Sequence, residues 1–309
     1  MVHAAHDQPS GSARRAGWRR LGVSKSVPAL ALLAPSALIL LAFTYWPLAQ
    51  VLWRSVVVER FGESAQIGWD NYAQLLTDPH FAKAAWNNSL YAVFTIVPSL
   101  GIALGLALAL QHSHRLESVV RTLFVLPMMI PLVAAASLFS FILLPGGGLL
   151  DTYLAAAGLR GANWLGDPSY ALPSVIAITV WKNVGYYMLF FLAGLAGVAR
   201  ELVDAARLDG AGPWQAFRHV VLPQLGPTFG FVLPIALLNA LTQVDQVVTL
   251  TQGGPTDSTN LLLYYIYQQA EQNHETGLAS AATVVSVAAL LLLCLLSFRT
   301  LERGIHSES

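Results

Sequence analysis

The chain has 309 residues, of which 55% are hydrophobic and 11% charged, with a mean hydropathy of +0.56. Water-soluble domains carry about a quarter charged residues, so this composition belongs in a lipid bilayer. Seventeen Lys and Arg balance seventeen Asp and Glu, which leaves no basic field to hold nucleic acid, and the single Cys294 excludes an internal disulfide framework and a thiolate metal cluster.

A membrane-crossing helix needs about 20 mostly apolar residues. Stretches free of charge run, in chain order, from Ser26 to Trp53, from Ala84 to His114 and from Thr122 to Leu150. A fourth, from about Tyr170 to Val198, is interrupted only by Lys182. Insertion scales put that charge at roughly 2.5–3.5 kcal/mol, which the aromatic and leucine-rich remainder offsets. The stretches His219 to Val244 and Thr276 to Phe298 complete the set. The predicted fold class is all-α, a polytopic membrane protein with six transmembrane helices. The first stretch follows basic residues, as a cleaved signal peptide would. It outruns the usual apolar region of about 7–15 residues and continues through Phe43, Tyr45, Trp46 and Trp53, so it reads as a retained span.

Lys and Arg favour cytoplasmic flanks. One side of this topology holds twelve of them, from Arg14 through Arg115, Arg200 and Arg218 to Arg303; the other holds Arg54, Arg60, Lys83 and Arg160. Both termini are therefore expected in the cytoplasm. Residues 1–25 read as a disordered cytoplasmic segment, 26–83 as the first span with an extracytoplasmic loop, 84–298 as the main transmembrane domain and 299–309 as a cytoplasmic tail. Trp69 to Tyr72 suit a small helical cap on the outer loop. The segment Asn260 to Ala270, carrying Tyr264, Tyr265 and Tyr267, is too short to cross and reads as an interfacial helix.

The loop 200–218 between the fourth and fifth spans is the most structured. Glu201 to Leu208 are good helix formers, Gly210 suits a left-handed stop and Pro213 suits the first turn of a second helix. About eight helical residues make a knob roughly 12 Å long, with Asp204, Arg207 and Asp209 beside Ala205, Ala206 and Leu208. On periodicity alone a helical hairpin lying on the bilayer surface would do as well. Asp204-Ala205-Ala206-Arg207-Leu208-Asp209-Gly210-Ala211-Gly212-Pro213, followed by Phe217, Leu222-Pro223 and Pro227, resembles the EAA signature of bacterial ABC importer permeases. Here Asp204 stands for the opening Glu. The resemblance implies a type I importer permease fold from about Ala84 to Phe298, with Asp204, Ala205, Ala206, Arg207, Asp209, Gly210, Ala211 and Gly212 seated in a cleft of a cytoplasmic ATPase subunit. Gly253-Gly254-Pro255, Ser258 to Asn260, Tyr264 to Tyr267 and Gly277 to Ala282 resemble the carbohydrate-uptake branch, which includes maltose-type and glycerol-3-phosphate-type permeases.

The same resemblance implies two ABC ATPase subunits, a second permease subunit and an extracytoplasmic solute-binding protein as partners. A glycine-rich phosphate loop ending in Lys and Ser or Thr is missing from the sequence, so ATP and Mg are expected in the ATPase and no cofactor in this chain. His112 and His114, two apart, diverge on a helix and make no metal site. Gly101 and Gly105 read as a small-residue packing pair. Pro127 and Pro131 in one span, and Pro223, Pro227 and Pro234 around another, suggest bent helices, static or gating.

Polar groups inside a span face a cavity or a partner. Lys182, Asn183, Asn239, Gln243 and Asp245 are thus candidates for a path taken by a sugar or sugar-like solute, oligosaccharide or glycerol-3-phosphate. Asn and Gln also bond neighbouring helices, and Asp245 suits a span end near water. A secondary transporter driven by an ion gradient is the alternative, although it calls for more ionisable groups in the spans than Lys182.

Overall fold

A computed structural model describes residues 26–58, 65–111 and 117–306. The expected disordered segment 1–25 and both His112 and His114 lie outside the described residues. Two units are distinguished, residues 1–50 and 51–309. The first span begins as α1 (Ser26–Leu40), widens into a π turn at Leu41–Tyr45 and continues as α2 (Trp46–Ser55). A short antiparallel pair follows, β1 (Val57–Val58) with β2 (Gln66–Ile67), which leads into α3 (Asp70–Thr77), the small helical cap. Asn71, buried in α3, donates to the carbonyls of Ser55 and Val57 at 3.0 and 2.9 Å and ties the cap to the end of α2.

The two longest helices of the bundle's centre, α4 (Pro79–Leu110) and α8 (Pro168–Ala196), start by the same device. Asp78 accepts from the His80 N–H and Asp167 from the Ser169 N–H, each at 2.8 Å, with proline at the first helical position. Proline there lacks a donor that would have gone unpaired, and each aspartate cap contributes about 0.5–2 kcal/mol. Tyr91 of α4 and Met188 and Phe191 of α8 are buried with Val232 and Ala236 of α12 (Gly226–Thr242) in the principal apolar core.

Residues 122–150, expected as one span, do not form one straight helix. They are occupied by α5 (Glu117–Met129) and α6 (Leu132–Ile142), which meet at 99°, and by the start of α7 (Leu149–Ala156). Pro131 cannot continue the helical ladder, and it pushes Ile130 out of helical backbone geometry. Among the described residues five helices are long and apolar enough to cross a membrane, and six if the bent α5–α6 pair is one span.

Beyond α8 come α9 (Arg200–Leu208), α10 (Pro213–Ala216), a π turn at Phe217–Val221, α11 (Leu222–Gln224) and α12. After α12 the chain breaks at Gln243 and Val244, restarts as α13 (Asp245–Leu250), and reaches α14 (Leu262–Tyr267) through a tight loop. A π turn at Gln268–Gln272 precedes α15 (Thr276–His306), which carries the last span on into the segment expected as a tail.

The segment expected as an interfacial helix forms the short α14 and packs against the protein. Tyr264 and Tyr265 are 3% and 1% exposed. The Tyr265 ring packs on Phe81 and its hydroxyl donates to Asp78 at 2.5 Å, so the segment is pinned inside the fold over the start of α4. Gly101 and Gly105 are corrected: a Cβ at either would meet open space, so neither makes a close helix contact among the described residues.

Candidate functional site

The α9–α10 loop is closed by backbone geometry that its sequence dictates. Gly210 has φ +85°, the Ala211 N–H reaches the Ala206 carbonyl at 2.9 Å, and the Gly210 N–H reaches Arg207 at 3.0 Å. These paired bonds form a Schellman stop, which needs a left-handed residue that glycine alone adopts without strain. Two residues on, the Gln215 side chain accepts from the Gly212 N–H at 2.8 Å and opens α10. The bend is thereby fixed from both sides. None of α9 is buried; Asp204, Ala205, Arg207 and Asp209 are exposed, Ala206 is half-buried, and Leu208 is 90% exposed. Asp204 and Arg207 are 3.5 Å apart, a loose exposed pair worth little. Their charges, and the apolar tip, are free to meet another surface.

A polar nest lies in the middle of the bundle, between α4, α8 and the α12–α13 break. Thr179 donates to the Val175 carbonyl at 2.9 Å, so the hydroxyl it shares with Tyr91 at 3.0 Å must be an acceptor. Tyr91 therefore donates to Thr179 and accepts from Gln246 Nε2 at 2.7 Å. Gln246, fully buried, also donates to the Gln243 carbonyl at 3.1 Å and so holds the break shut. Asn183 donates to Gln243 Oε1 at 3.4 Å, and Asn239 to the Tyr187 hydroxyl at 3.2 Å. Asn183, Asn239 and Gln243 all line one cavity of about 10 Å³, together with the Ser99 hydroxyl, which is buried without a partner. That volume is a single water's space, far below the several hundred Å³ of a small-molecule site, so the nest is closed in this conformation.

Lys182 is placed differently. The residue is 8% exposed, and its ammonium donates to the carbonyls of Pro127 at 3.2 Å, Met128 at 3.3 Å and Ile130. They lie in and just after the last turn of α5, where the break at Pro131 ends the regular ladder and the Pro127 carbonyl keeps only the Ile130 N–H at 3.3 Å, and a cation at a helix C-terminus is favourable there. Gly185, one turn along α8, admits the Phe124 carbonyl so closely that any side chain would collide. Asp245 does not join the nest. It is exposed in the first turn of α13, where a carboxylate suits the helix N-terminus.

The sequence reading missed Tyr91, Thr179 and Gln246, the spine of the nest, and Gly185. The signal for the first three was a tyrosine, a threonine and a glutamine at or beside three apolar stretches. Also unread was Asp151, nearly buried at 9% exposure, which accepts from the Gly146 N–H and the Trp164 indole, each at 2.7 Å. These donors hold its carboxyl below the usual carboxylate range, the Gly146 N–H most strongly. Among the described residues no three His, Cys, Asp or Glu side chains could hold a metal ion.

Residues 101–306 match the family described as binding-protein-dependent transport system inner membrane component. The chain belongs to that family. It is a multi-pass permease of the inner membrane with no enzymatic activity, and ATP hydrolysis resides in a partner subunit. The permease is similar to the sn-glycerol-3-phosphate transport system permease protein UgpA of Pectobacterium atrosepticum, with 32% identity over 90% of this chain and 95% of that one. It is 35% identical to the probable ABC transporter permease protein YurN of Bacillus subtilis, over 91% and 98% of the two chains. Its fold matches a chain of the bacterial ABC transporter involved in import of the acidic polysaccharide alginate, with a TM-score of 0.79 at 24% identity. That match covers 89% of this chain and 95% of the other. The permease therefore has the type I importer fold that its loop signature implied.

Proposed function

We propose that this permease pairs with a second, related permease subunit and two ABC ATPase subunits to import a sugar or sugar-like solute, received from an extracytoplasmic solute-binding protein. The observation that carries this reading is the α9 knob: a stiff, unburied helix locked at 85° φ on Gly210, offering Asp204, Arg207 and Leu208 to a partner. We place that knob, with both termini, on the cytoplasmic side, following the twelve basic residues on that face. ATP and Mg act in the ATPase. Closure of the ATPase pair moves the knob, and only a differential fit of the knob between the ATPase states can do work on the spans.

The solute path crosses the nest at Asn183, Asn239 and Gln243, with Asp245 towards its outer end. Amides and hydroxyls suit a hydroxylated solute, and the cavity of about 10 Å³ must widen for it to pass. In vesicles holding the complete transporter, uptake should require ATP on the knob's side and should persist when the membrane potential is collapsed. Uptake that follows an ion gradient without ATP would instead make the chain a secondary transporter.

A further inference from the structure

We propose that the imported solute is uncharged, a hydroxyl-rich sugar rather than a phosphate or a uronate; this rests on the path assigned above. An anion crossing the hydrocarbon depth needs a counter-charge, because an unpaired charge in low dielectric is strongly penalised. Among the described residues of α4, α8 and α12 the cations are Lys83, at the very start of α4, and Lys182. An ammonium has three N–H donors. Lys182 spends all three on the carbonyls of Pro127, Met128 and Ile130, so it serves the α5–α6 bend and has no donor left for a solute.

What remains facing the nest is neutral. Thr95, Ser99, Asn183, Tyr187, Asn239 and Gln243 line its cavity, and each can give or take a hydrogen bond from a sugar hydroxyl without a compensating charge. The Asp245 carboxylate, exposed two residues after Gln243, repels an anion.

The test uses vesicles holding the complete transporter, binding protein included, with ATP and Mg supplied to the ATPase. Labelled probes are a set of neutral di- and trisaccharides, sn-glycerol-3-phosphate and a uronate trisaccharide. Every probe accumulated is expected to be neutral, with anion uptake at background. Accumulation of either anion overturns the proposal, even where the second permease supplies the cation. Accumulation of nothing overturns the importer reading beneath it. Lys182→Met should lower uptake of the accumulated sugar about tenfold or more and leave the neutral preference intact, with Lys182→Arg restoring part of the rate. A variant that takes up sugar at the normal rate, or that changes the preference, shows that Lys182 does not serve the bend.

Discussion

The carbonyl oxygen of Phe124 stands against the point that a Cβ on Gly185 would occupy, so α5 and α8 touch backbone to backbone there. The obstacle is main chain, which no rotamer change can clear. Gly185→Ala should therefore push α5 away and cost about 1–3 kcal/mol or more. Thermal unfolding of the purified permease in detergent checks this, and an unchanged midpoint would contradict the contact.

Gly210 carries the bend between α9 and α10 at φ +85° with open space around its missing Cβ. Crowding is thus no obstacle to a larger residue; conformation is. A β-branched residue in that region costs roughly 1–2 kcal/mol and reopens the stop. Gly210→Val is expected to insert and fold while uncoupling uptake from ATP hydrolysis. Paired measurement of both rates in vesicles decides it: a normal ratio would remove the loop from coupling.

Tyr91 is completely buried and passes a hydrogen bond from Gln246 to Thr179. Tyr91→Phe keeps the ring and deletes the relay, which leaves Gln246 with one acceptor fewer. Losing a buried partner costs about 1–3 kcal/mol. Hydrogen exchange should rise most at residues 243–247, around the break that Gln246 holds; exchange raised evenly over the bundle would count against a local latch.

The loop between α6 and α8 should be sensitive to acid. Asp151 has its carboxyl held low by the Gly146 N–H and then the Trp164 indole, so its stabilisation is present above the unfolded carboxylate value of roughly 3.9 and is lost as pH falls through the folded one. Proteolysis within 146–164 by an acid-active protease should accelerate across that window. Asp151→Asn should be cleaved faster at neutral pH and show little further change in acid.

The spans and the bend between α9 and α10 were legible because each rests on a local rule. Apolar length marks a crossing, and Gly210 followed by Pro213 marks a stop and a start. The 99° break between α5 and α6 was only half legible: Pro131 announced a bend, but the partner that makes it tolerable, Lys182, lies some fifty residues away. Lys182 read as a solute residue for the same reason, since a sequence shows a charge in a span without showing its acceptors. Asn183, Asn239 and Gln243 were found as polar exceptions in apolar runs, and tertiary packing brings them to one cavity. The packing of Tyr265 was not legible, because its partners Asp78 and Phe81 lie far off in the sequence.

Leu208 stands 90% exposed at the end of α9, with Leu202 at 53% on the same short helix. Such a greasy thumb in water adheres to chaperones and proteases as readily as to its proper mate. A subunit made in excess of its ATPase should therefore be short-lived, and Leu208→Ser should lengthen its survival in cells lacking that ATPase. One leucine would then meter how many copies the membrane keeps.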